Sequence, residues 1–173
     1  MSQELASAVD AIERELFLLR FDHDDAWWLG SWLRARGKTL GAALSIEVSR
    51  GDVIVFRHLM PGATRNNVEW MRRKIALSAR FERSSYAVGL AHQDNPGWFE
   101  RAGLVWEEFS PAGGAVPIRV AGTGMVGTLC VSGLTQEEDH DLAIEALRAL
   151  GLDREHAGGS MMTQGGGRSG PAT

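Results

Sequence analysis

The sequence predicts an α+β layer fold, an antiparallel sheet flanked by helices. Three observations carry the prediction. Two short hairpin patterns lie near residues 42–58 and 116–132, amphipathic helical patterns alternate with them, and regular patterning stops after about Leu152. The order is helices, hairpin, helices, hairpin, helix.

The first helical pattern is Leu5, Val9, Ile12, Leu16 and Leu19, spaced by fours and threes, with Glu4, Asp10, Glu13, Arg14 and Glu15 largely off the stripe. A second helix is expected over 24–36. Asp22, Asp24 and Asp25 suit its N-terminal dipole and Gly37 its C-cap. Trp28 and Trp32 share one face beside Leu29 and Leu33, and Trp27 points elsewhere, toward another subunit. Residues 42–48 read as a strand. Arg50-Gly51-Asp52 supplies the turn, and 53–56, extending to His58, reads as its hairpin partner.

Pro61-Gly62 ends that strand, and a helix over 66–81 follows with Val68, Met71, Ile75 and Ala79 in line. Ser84 or Ser85 caps the next helix, through Leu90 or His92. A short helix over 97–101 comes after the Asp94–Gly97 break. Strands at 116–120 and 125–132 form the second hairpin. Thr135 and Glu138 make a T-x-x-E capping box for the last helix. The folded part is read as 1–152, and residues 153–173, rich in Gly and Ser, as a disordered tail.

Composition excludes several classes. Hydrophobic residues are 44% and charged residues 23%, as in ordinary globular chains. No run of about 18 apolar residues exists, so no membrane span or membrane partner is expected. The N-terminus lacks the pattern of a secretory signal. A single Cys130 excludes an intrachain disulfide framework and a multi-cysteine zinc site. These features predict a cytoplasmic location. The net charge of −4 gives no reason to expect nucleic acid as a partner. Charge is uneven, however. Seven basic residues lie between Arg57 and Arg83 against two acidic ones, a local anion site or a face for a neighbouring subunit.

Gly122–Gly127 fits G-x-G-x-x-G, but a strand pattern follows it where a dinucleotide site needs a helix, so it reads as a hairpin turn. Gln136–Asp141 resembles a metal cluster. Its first-turn carboxylates have a sufficient cause in capping, and no metal site is assigned. His140 lies on the inward stripe, as a core residue or as the one candidate acid–base group. Arg72, Arg73 and Lys74 are about 100° apart around a helix and cannot all meet one ligand. Ser84-Ser85-Tyr86 reads as a cap with a core aromatic, or as a hydroxyl cluster for an anion beside Arg83.

Two blocks carry a resemblance. One is Phe56-Arg57-His58-Leu59-Met60-Pro61-Gly62 with Asn66-Asn67, Trp70, Arg72-Arg73-Lys74, Phe81 and Ser84-Ser85-Tyr86. The other is Gly124-x-Val126-Gly127 and Val131-Ser132-Gly133-Leu134, then Gln136–His140. Together they resemble the uncharacterised protein family grouped with the haem-degrading, HbpS/GlcG-like domain, over about residues 5–150. The sequence departs from the family at Ala63-Thr64-Arg65. The resemblance implies a profilin-like, GlcG-like antiparallel sheet flanked by helices, a homo-oligomer, and relatives that bind haem or iron.

Three functions compete. The first is a homo-oligomeric small-ligand-binding protein, with haem or another anionic molecule held by Arg57, Arg72, Arg73, Lys74, Ser84, Ser85 and Tyr86. Its axial candidates are His58, Met60 or His140. The second is a haem-modifying enzyme using His140, for which no reaction is named by the residues. The third is an oligomeric interaction or scaffold protein, in which the basic helix meets the acidic start of the last helix of a neighbour.

Overall fold

The computed structural model describes residues 2–162. Its elements are α1 (Ser2–Arg14), β1 (Phe17–Leu18), α2 (His23–Leu40), β2 (Ser45–Arg50), β3 (Val53–Leu59), α3 (Arg65–Phe81), α4 (Ser85–His92), α5 (Trp98–Arg101), β4 (Ala115–Val120), β5 (Gly124–Ser132) and α6 (Gln136–Met162). The five strands run in the order β1-β4-β5-β2-β3. The two expected hairpins are β2–β3 and β4–β5, and they join into one sheet through antiparallel β2–β5 pairing. The short β1 adds to β4 in parallel.

Strand alternation sorts side chains onto two faces. Ile46, Val48, Val116, Ile118, Leu129 and Val131 pack with Leu29 and Leu33 of α2 and Leu142, Leu147 and Leu150 of α6. Leu29 and Leu33 are fully buried, each contributing about 1.5–3 kcal/mol. Ala115 and Cys130 point to the opposite face, against Met71 of α3. The result is three layers, with helices on both faces of the sheet.

Local chemistry sets the helix ends. Asp22 caps α2: its carboxylate accepts from the Asp25 amide, and Asp25 accepts from the Asp22 amide. Ser84 Oγ caps α4 by accepting from Ala87 N at 3.0 Å. The Thr135–Glu138 box is formed in both directions at the start of α6. The Gly122–Gly127 segment is the β4–β5 turn and the strand after it, with Gly122 at φ 75° and Gly124 at φ 94°.

Three local expectations are corrected. The α1 stripe does not extend to Leu19, because the chain leaves the helix at Arg14 to make β1. Ala6, Val9 and Glu13 are buried against α4, while Leu5, Ile12 and Leu19 are exposed. Gly37 does not end α2. The helix runs on to Leu40, and Gly41 takes the left-handed cap at φ 64°. Gly37 is instead a close-packing position, where a Cβ would lie 2.6 Å from Met60 Sδ. Finally, α6 continues past Leu152 to Met162. The rest of the expected tail, 163–173, lies outside the described residues.

Candidate functional site

The residues singled out in the sequence fall into three places. Arg57 and His58 lie on β3, the outer edge strand. Arg72, Arg73 and Lys74 diverge around α3. Ser84, Ser85, Tyr86 and His140 meet at the junction of α4 and α6. Met60 follows β3 but is buried, with its sulfur turned onto Gly37.

The edge of β3 and the outer side of α2 frame a cleft of about 560 Å³, lined by Trp27, Ser31 and Arg34 from α2 and by residues 55–58 of β3, Val55 to His58. Its size falls within the roughly 300–1,000 Å³ of small-molecule sites. Trp27, Ser31 and Arg34 are spaced four and three apart, so they share one helix face, away from Leu29 and Leu33. Trp27 is 67% exposed. Its ring meets Phe56 edge-on, with centroids 5.8 Å apart and planes at 76°. The Phe56 ring lies directly on Gly30, where a Cβ would collide with it. That glycine lets α2 approach the strand closely enough to form the cleft.

Arg57 and His58 are neighbours in an edge strand, so they leave opposite faces of the sheet. Both reach the cleft because no strand covers β3 on its outer side. Arg57 is held by a buried cross-strand partner: its Nε donates to Glu47 Oε2 at 2.8 Å and its Nη2 lies 2.6 Å from the same oxygen. The arginine is therefore fixed in place while its side chain stays about 38% exposed. Arg34 was not singled out by the sequence reading. The signal was present in its spacing from Trp27 and Ser31.

The Arg72-Arg73-Lys74 cluster does not converge. Arg72 donates to Glu69 and to the Glu107 carbonyl. Arg73 donates to the Trp106 carbonyl at 3.2 Å and lies over the Trp70 ring, 4.1 Å from its centroid. Lys74 is buried. Its Nζ donates to Asp139 Oδ2 at 2.9 Å and to the Val131 carbonyl at 3.3 Å. Burial pushes the Asp139 carboxyl above its usual range, opposed by Lys74 and by backbone N–H groups of Leu134 and Gly133. The contact between the basic helix and the acidic start of α6, expected across subunits, thus forms within one chain.

At the α4–α6 junction, Ser84 and Ser85 are buried structural groups. The Ser84 amide donates to Glu13 Oε2 at 3.1 Å, and Ser85 Oγ accepts from Ala115 N at 3.2 Å. His140 is buried, and its ring lies 5.0 Å from that of Tyr86. Burial lowers the His140 pKa from 6.5 to about 4, partly offset by Asp141. The imidazole is neutral at pH 7, and its Nδ1 has no hydrogen-bond partner among the described residues. Burial also raises the Tyr86 phenol, helped by the charge of Glu137 and a hydrogen bond to it. Cys130 is buried, and its thiol is pushed upward by that burial, so it is an inert core residue.

Among the described residues, no three His, Cys, Asp or Glu side chains gather to hold a metal ion. No helix among them is long and apolar enough to cross a membrane.

The domain is a three-layer α+β fold, a five-stranded sheet between two layers of helices. Residues 21–148 match the family described as haem degrading protein HbpS-like, and the chain belongs to that family. It is 43% identical over 148 residues to a UPF0303 protein of Paraburkholderia phymatum, covering 84% of this chain and 90% of that one. It is 42% identical over 154 residues to a UPF0303 protein of Acidobacterium capsulatum, covering 86% and 93%. Among solved structures, the Ybr137w protein superposes with a TM-score of 0.79 at 29% identity, covering 84% of this chain and 89% of that one. HbpS itself gives 0.61 at 16% identity, covering 76% and 89%. A PduOC:heme complex gives 0.64 at 18% identity, covering 75% and 94%. These last two likenesses concern the fold alone. The sheet flanked by helices that the sequence predicted is the fold they share.

Proposed function

We propose that this chain is a homo-oligomeric binding protein for haem or a kindred planar anionic ligand, seated in the cleft between α2 and β3. One observation carries the reading: a histidine, two arginines and two aromatic rings line a single cleft of about 560 Å³. The donor set fits haem. An imidazole serves as an axial ligand to haem iron, as His58 would here. Arg34 and Arg57 supply planar donors for the propionates, and Trp27 and Phe56 supply apolar faces for the ring. Membership of the HbpS-like family supports the reading, as does a heme complex on the same fold. Met60 and His140 have no role in this site.

The assay is an absorbance titration of the full chain with haem, repeated with Arg34→Gln and Arg57→Gln. Saturation at one haem per subunit is expected, with each variant weakened about fivefold or more and wild-type affinity falling as salt rises. Unsaturable binding, equal in all three proteins, would remove this site.

The oligomer rests on the same edge. Val53 and Ile54 are 59% and 45% exposed beside the unpaired backbone of β3. Native sheets rarely leave such an edge uncovered. Trp27 is exposed nearby. These features also favour the reading of an interaction protein without catalysis. Sedimentation at low and high salt separates the cases: an apolar edge contact persists in high salt, and a charge-paired one does not. We place the protein in the cytoplasm, on its single buried cysteine.

A further inference from the structure

A second cleft, of about 530 Å³, opens on the other side of the sheet, between α3, α4 and the α5 region. Its chemistry is opposite to that of the β3 edge. Trp70, Tyr86, Trp98 and Trp106 stand around it, and Glu100 is the one charged side chain among the described lining residues. Among the described residues no arginine or lysine lines it, and Arg73 lies behind its wall against Trp70 and Trp106. We propose that this cleft binds an organic cation of the quaternary ammonium class, held against the indole faces and balanced by Glu100.

Aromatic rings attract cations through the negative potential over their faces, indole most strongly. The walls already show the interaction: the Arg73 guanidinium sits 4.1 Å over the Trp70 ring and is tethered to the Trp106 carbonyl. The remaining rings are held in place. Trp98 stacks on His92 with centroids 4.2 Å apart, and Trp106 stacks on Phe99 at 4.0 Å. These stacks fix the indoles before any ligand arrives, so little ordering accompanies binding.

Negative charge faces the inner wall, and the cations nearby are engaged by protein groups. Glu137 and Asp141 act on Tyr86 from α6, adding negative potential at the inner wall. Burial lowers the pKa of His92, with a smaller contribution from Arg83, and so favours its neutral form. Arg83 itself is paired through two nitrogens with Asp10. Arg101, on α5, has its guanidinium engaged at the cleft rim by the Pro96 carbonyl and Asn95 Oδ1. The described lining itself supplies no cationic side chain to pair with the propionates of haem.

The test is a calorimetric and tryptophan-fluorescence titration of the full chain with choline and with tetramethylammonium. The neutral isostere 3,3-dimethylbutan-1-ol serves as control. The proposal expects saturable binding of both ammonium ions and binding of the isostere at least about fivefold weaker. Glu100→Gln, at an exposed position, should weaken the ammonium ions by a similar factor while leaving the isostere unchanged. Trp106→Leu should abolish binding with the circular dichroism and melting temperature retained. Absence of saturable ammonium binding overturns the proposal. So does equal binding of the isostere, or a Glu100→Gln variant that binds choline as tightly as wild type. Haem affinity at the β3 edge should not change in either variant, which keeps the two sites distinguishable.

Discussion

Lys74 Nζ and Asp139 Oδ2 lie 2.9 Å apart, both side chains buried, and tie α3 to α6 across the end of β5. Removing one partner strands the other charge. Lys74→Met is expected to destabilise the protein by about 3–5 kcal/mol, whereas Lys74→Met combined with Asp139→Leu should recover most of that loss. Urea unfolding of the three proteins decides it. A single variant within about 1 kcal/mol of wild type would show that the pair is not a stabilising contact.

His140 predicts an acid-sensitive stability. Its folded pKa is lowered to about 4 from 6.5. Above pH 6.5 both folded and unfolded imidazoles are neutral, and the group has no effect. Between pH 6.5 and about 4 the unfolded chain takes up a proton that the folded chain refuses. Stability falls as pH falls across that window, by roughly 3 kcal/mol in all. Comparing wild type with His140→Phe at pH 7, 5.5 and 4.5 should show a shallower decline in the variant. Parallel profiles would place the acid sensitivity elsewhere.

Gly127 separates a packing role from a nucleotide-binding one. A Cβ there would collide with the Ser49 carbonyl oxygen on the neighbouring strand, and backbone cannot step aside as a flexible side chain can. Gly127→Ala should cost more than about 2 kcal/mol, and Gly122→Ala, in open space at φ 75°, about 1 kcal/mol. Thermal melts of both variants check the order. Equal melting temperatures would contradict the close-packing role.

Much of the fold was legible because its signals are local. The Thr135–Glu138 box, the Ser84 cap and the two hairpins each announce themselves within a few residues. What was missed depends on partners distant in sequence. The two residues of β1 are a strand only because β4 runs beside them. Gly37 reads as a helix stop until Met60 is seen against it. Lys74 reads as a cation for an anionic ligand or a neighbouring subunit, although its spacing of three from both Met71 and Leu77 puts it on the buried face. In the β3 cleft, Arg57 and His58 were visible from the strand-to-turn motif. Arg34 and Trp27 enter from another helix. Trp70, Trp98 and Trp106 come from three separate segments, and only the folded chain brings them to one cleft.

The central claim is that His58, at the open edge of the sheet, faces a bound haem while the buried His140 does not. The most direct measurement is a haem titration followed at the Soret band, with His58→Ala and His140→Ala beside wild type. A saturable Soret shift at one haem per subunit is expected, which His58→Ala abolishes and His140→Ala keeps, with the variant shown folded by circular dichroism. A shift unaffected by His58→Ala but lost in folded His140→Ala would contradict it and move the site to the α4–α6 junction. No saturable shift in wild type would contradict haem binding itself.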